Sequence, residues 1–180
     1  MFQNIVFKNF LRLILLLTLQ ILILNNVYLT GWVAPMLFVL FVLMLPTQTP
    51  RNLMLLIAFV VGLVVDISSN VLGPCAAACT LVAFCRITFA DRILTRGEDV
   101  VVGTPSIHSV GFQSFSVYSL LLLTIFFLLY FLLMIFSLHD LGHILLSTVA
   151  STGVTWLLVV LYQWMFLHSE RDAKRERISH

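Results

Sequence analysis

Six long apolar blocks, separated by short polar connections, constrain this chain more than any other feature. They run over residues 10–24, 32–45, 53–65, 71–90, 115–138 and 145–167. A helix rises ~1.5 Å per residue, so about 20 apolar residues cross a ~30 Å hydrocarbon layer. The blocks are continuous rather than alternating, which favours helices over the strands of a membrane barrel. Composition closes the soluble alternative. Hydrophobic residues make up 61% and charged residues 10% of the chain, against roughly 45–50% and ~25% in soluble domains. Ten Lys and Arg with eight Asp and Glu are too few to cover a soluble surface. The reading is an all-α integral membrane protein, one domain over residues 1–180 with six transmembrane helices.

Cytoplasmic loops keep Lys and Arg while exported loops lack them, so basic residues set the orientation. With the N-terminus inside and six crossings, Lys8, Arg12, Arg51, Arg86, Arg92, Arg96, Arg171, Lys174, Arg175 and Arg177 all fall on the inner side or its interface. The outer connections, 25–31, 66–70 and 139–144, then hold no Lys or Arg. Tyr28 and Trp32 sit at the outer aromatic belt. Both termini are expected in the cytoplasm.

Blocks two and three are short, and Pro35, Pro46 and Pro50 punctuate them. They read either as tilted short spans or as a hairpin entering and returning from outside. A hairpin would change only the position of Arg51, and a buried unpaired Arg is costly, so two true crossings are preferred. Block one follows Lys8 and Arg12 like a signal sequence, but Asn25, Asn26, Val27 and Tyr28 lack a small-x-small cleavage site, so an uncleaved anchor is expected. The stretch 91–114 reads as a cytoplasmic loop. The charged tail 169–180 reads as a solvated helix end near anionic headgroups. The net charge of +2 follows from these topology-setting residues and gives no reason to invoke nucleic acid.

The segment from Gly62 to Ala78 carries the most chemistry. Asp66 closes one span, Ser68, Ser69 and Asn70 form a turn, and Gly73-Pro74 opens the next. Two roles are open for Asp66: the centre of a packing and partner surface, or a turn cap at the interface, where a carboxylate costs little. Gly73 with Ala77, and Ala76 with Thr80, have the small-xxx-small spacing that brings helices close. The candidate partner or packing residues are Gly62, Asp66, Ser68, Asn70, Gly73 and Ala77. The sequence 139–143, His-Asp-Leu-Gly-His, superficially resembles a zinc-protease motif. Its place in an expected outer turn, Gly142, and the lack of a third ligand argue against metal. Cys75, Cys79 and Cys85 read as small apolar packing residues. No catalytic residue, cofactor or metal is expected. Within the sixth block Ser147, Thr148, Ser151, Thr152 and Thr155 form a hydroxyl stripe expected to pack against another helix. Arg86 is expected to snorkel to the inner face.

The 62–73 turn leading into Ala76-Ala77-Ala78, the Pro46 to Arg51 connection, the Gly103-Thr104-Pro105 loop and the six-span order together resemble MreD, the bacterial rod shape-determining membrane proteins. That resemblance implies a non-enzymatic subunit of the cell-elongation machinery. Its expected partners are an MreC-like protein, through it a RodA-like glycosyltransferase with a penicillin-binding transpeptidase, indirectly the MreB filament, and membrane lipids. It also implies a helix layout similar to the substrate-binding subunits of energy-coupling-factor transporters. A substrate-binding subunit of a vitamin-type transporter is therefore the alternative. On this resemblance Asp66, Ser68, Asn70 and Gly73 match the family's characteristic turn.

Overall fold

The computed structural model describes residues 2–22, 33–45, 49–71, 73–93, 111–135 and 141–178. Among them are the helices α1 (Phe2–Leu22), α2 (Val39–Leu43), α3 (Arg51–Ser68), α4 (Pro74–Ile93), α5 (Phe112–Ile135) and α6 (Leu141–Ile178). Three are long and apolar enough to cross a membrane: α3, α5 and the 141–164 part of α6. The apolar runs of α1 and α4 are shorter, Leu13–Leu22 and Pro74–Thr88. Residues 25–31, Pro46, the 103–105 loop, His139 and Asp140 lie outside the described residues.

The helices from α3 onward pack in chain order, α3 on α4, α4 on α5 and α5 on α6. In α3 the buried positions are Met54, Ala58, Val61, Gly62, Val65 and Asp66, recurring every three or four residues as one helix face requires. Small residues at 58 and 62 let α4 approach closely, which matters because dispersion and close contact, rather than water exclusion, hold helices together in lipid. The opposite face carries Leu53, Leu56, Phe59, Val60, Val64 and Ile67, all exposed.

Block two departs from expectation. It holds no spanning helix: only Val39–Leu43 are α-helical, preceded by non-helical residues 33–38. The local sequence explains the break. Pro35 has no N–H to give a helix, and Leu45 precedes Pro46, where the α conformation is disfavoured. What block two forms is a partly extended strap, and residues 35–45 are all buried. Phe38 within it packs edge-on to Phe126 of α5 at 6.0 Å.

The strap has a direction. Ala34 meets Ser151, Met36 meets Thr155 and Met44 meets Gln163, all on α6. Twelve residues of helix amount to ~18 Å, so the strap advances along α6 without turning back. Its far end meets Arg86 of α4, which also lies against Met54 near the start of α3.

Other boundaries shift modestly. α6 begins at Leu141, placing Gly142 and His143 in its first turn rather than in a connection, and its backbone stays helical through most of the charged tail, to Ile178.

Candidate functional site

Two polar constellations stand out against the apolar interior. The first is the α3–α4 turn. Asp66 is 1% exposed. Its Oδ1 accepts the N–H of Cys75 at 3.0 Å and its Oδ2 accepts that of Ala76 at 2.9 Å. These are first-turn N–H groups of α4, which have no partner inside their own helix. A carboxylate there also meets the positive end of the helix dipole. Pro74 is suited to its place at the helix start, where no N–H bond is needed.

The backbone of the turn is fixed from the same residue, since the Asp66 carbonyl accepts the N–H of Ser69 at 3.1 Å and of Val71 at 3.1 Å. Asn70 adopts φ 54° and Gly73 φ 107°, left-handed conformations that Asn tolerates and Gly prefers. One turn back in α3, Gly62 is pressed against α4. A Cβ added there would lie 2.6 Å from the Ala76 Cα and 2.6 Å from the Cys75 carbonyl oxygen.

The sequence-derived candidates therefore separate. Gly62 and Asp66 come together on the first turn of α4. Ser68, Asn70, Gly73 and Ala77 are exposed and take no part in that contact. The Ser68 hydroxyl donates to its own helix at Val64 O, 2.8 Å. Within the chain, the Gly73 and Ala77 pair faces away from α3, whereas Ala76 is buried and Thr80 half-buried. Of the two roles open for Asp66, the geometry is that of a cap with both oxygens engaged inside the chain.

The second constellation is the set of side chains around the strap, which sequence reasoning did not assemble. The Ser151 hydroxyl accepts the N–H of Ala34 at 3.2 Å, and Thr155 Oγ1 accepts that of Met36 at 3.3 Å. Residues four apart on a helix rise ~6 Å, and alternate residues of extended chain span ~6.6 Å. The two hydroxyls thus match alternate amides of an extended segment. Gln20 of α1 closes the same stretch from another side, accepting the Leu37 N–H at 2.9 Å and donating to the Pro35 carbonyl at 3.1 Å.

At the other end, Arg86 is 1% exposed and heads the large, fully buried side chains among the described residues. Its Nη1 donates to Val42 O at 2.7 Å and its Nη2 to Leu45 O. These carbonyls lie at the C-terminal end of α2, where a cation is favoured by both hydrogen bonding and the dipole. The Tyr118 hydroxyl, beside the guanidinium, donates to Leu43 O at 3.3 Å. Arg86 therefore does not snorkel; it turns inward because the broken helix offers it carbonyl oxygens. Of the hydroxyl stripe, Ser151 and Thr155 meet the strap, while Thr148 bonds its own helix at Ile144 O. The strap's signal in the sequence was the coincidence of Pro35 with isolated polar residues in apolar blocks one, four and six.

Among the described residues no group of three or more His, Cys, Asp or Glu is placed to hold a metal ion. His143 Nδ1 lies 3.4 Å from the Ser147 hydroxyl, one turn along the same helix. Cys75 and Cys79 are buried and Cys85 half-buried, all with free thiols. Ser116 Oγ, Thr152 Oγ1 and Trp156 Nε1 are buried without a hydrogen-bond partner.

Compared with known proteins, the chain matches no family model, no curated protein and no solved structure.

Proposed function

We propose that this chain is a non-enzymatic membrane scaffold of the MreD type, serving the cell-elongation complex of a bacterial inner membrane. The observation that carries the reading is where its interior polar groups go. Gln20, Arg86, Tyr118, Ser151 and Thr155 all bond to the backbone of residues 34–45. Polar side chains inside a membrane protein mark substrate paths when they face a cavity; here they hold the chain to itself. The outward faces of α3 and α6 remain for contact with lipid and protein. The resemblance over residues 62–78 supplies the partners: an MreC-like protein and, through it, a RodA-like synthase, its transpeptidase and MreB.

On this reading the chain crosses six times with both termini inside, in a layout akin to the substrate-binding subunits of energy-coupling-factor transporters. The strap makes the second crossing, shielded from lipid by the helices around it, the setting in which non-helical backbone is tolerated at membrane depth. Impermeant thiol reagents test this: a cysteine at Thr49 is expected to react only from the inner side. Reaction from the outer side overturns the six-crossing arrangement.

The function is tested by pulling the tagged chain from its native membrane in mild detergent and identifying the co-purifying proteins. MreC-like and RodA-like partners are expected. Recovery of an ATPase pair with a coupling membrane subunit would replace the scaffold with the transporter reading.

A further inference from the structure

The strap is fastened differently at its two ends. At the Arg86 end, a full charge donates to two carbonyls, one at 2.7 Å, and hydrogen bonds to charged groups are roughly twice as strong as neutral ones. Tyr118 adds a third bond there, to Leu43 O. At the other end every partner is neutral. The Ala34 and Met36 amides reach hydroxyls at 3.2 and 3.3 Å, at and just past the long end of the usual N–H···O range, and the closer bonds of Gln20 to Leu37 and Pro35, at 2.9 and 3.1 Å, are also uncharged. Gln20 stands on α1, a helix with Leu11, Ile14, Leu15 and Leu22 exposed. Residues 33–36 are non-helical, whereas the Leu37 and Phe38 carbonyls accept the N–H groups of Leu40 and Phe41 at 3.0 Å and Val39–Leu43 form a helical turn.

We propose that residues 33–45 form a releasable strap that opens from its Ala34–Leu37 end while Arg86 keeps the Val42–Leu45 end in place. Opening breaks the bonds that Gln20, Ser151 and Thr155 make to the strap, so the two hydroxyls become available inside the bundle without dissolving the α3–α4–α5 packing. Regions held by weaker, uncharged bonds open at lower free energy than the core around them. The strap places such a region against α1 and α6, and its hinge is the charge-fixed end.

Hydrogen exchange on the full-length chain in lipid nanodiscs, resolved to single amides by fragmentation, tests this. The Ala34, Met36 and Leu37 amides are expected to exchange at least tenfold faster than those of Val42, Leu43 and Met44, with Val61–Val65 and Leu122–Phe127 as the protected reference. Ser151→Ala with Thr155→Val is expected to speed the first group a further several-fold and leave the second unchanged. Arg86→Gln is expected to erase the difference between the ends. Should that variant fail to fold, the wild-type comparison and the double variant decide. Exchange of the whole strap in step with the reference helices, or earlier exchange at Val42–Met44, overturns the proposal.

Discussion

Asp66 and Gly62 show how much of the α3–α4 hairpin rests on two positions. Asp66→Ala leaves the Cys75 and Ala76 amides without their acceptors, and loss of a cap or of a buried partner costs ~1–3 kcal/mol. A lower midpoint of unfolding in detergent is expected. Asp66→Asn keeps one carbonyl oxygen and is expected to lose about half as much. If Asp66→Ala weakens association with partners, the loss should track the loss of stability, because the carboxylate faces α4 and not the surface. Gly62→Ala is the steric counterpart. The atoms an added methyl would meet are backbone, so the helices must separate, at a cost of ~1–3 kcal/mol. Gly153→Ala meets open space and is expected to be neutral or to stabilise by up to about 1 kcal/mol, as helix propensity favours Ala. Paired thermal denaturation of the two Gly variants checks the contrast.

At the scale of elements, the strap decides what was legible in advance. The helical blocks announced themselves through length and hydropathy, and α3, α5 and α6 formed where continuous apolar runs placed them. The Asp66 turn was visible as Asp, Ser, Asn and Gly between two such runs, although its bonding was not, because capping of α4 by the end of α3 depends on how the hairpin closes. Block two misled because hydropathy is blind to backbone satisfaction: a buried apolar strap and a spanning helix have the same composition. Pro35 and Pro46 marked the break, but the acceptors that make it tolerable lie far along the chain. Arg86 misled for the same reason, since its carbonyl partners exist only once α2 has stopped. Arg86→Leu is expected to cost about 3 kcal/mol or more, because two buried carbonyls lose bonds to a charged donor. Arg86→Lys is expected to recover only part of this, as a point charge replaces a planar fork. Chemical denaturation of the three proteins in one detergent ranks them.

For the whole molecule, the division between an interior whose polar side chains bond mostly within the chain and bare outer faces has a measurable consequence. On α6, Leu145, Leu146, Val149, Leu157, Leu161 and Trp164 are all exposed, Trp164 at 70%. Widening this face by Gly153→Leu or Val149→Trp is expected to change the midpoint of unfolding little, since surface changes are usually within ±0.5 kcal/mol. The scaffold reading expects the same variants to reduce recovery of the MreC-like partner in the pull-down if that partner lies on α6. Unchanged recovery moves the partner surface to the bare face of α3, where Phe59→Ala and Val60→Trp repeat the test.

The span between Ala34 and Ser151, and between Met36 and Thr155, is also an interval of time. A ribosome adding ~10 residues per second needs about twelve seconds to supply the hydroxyls that those amides require, 117 and 119 residues downstream. A chain that stalls or is cut before α6 therefore carries an N-terminal region that cannot complete itself, however well its own helices have inserted. Synthesis through Thr155 is what completes the strap, so a product cut before Ser151 is left with the Ala34 and Met36 amides lacking these acceptors.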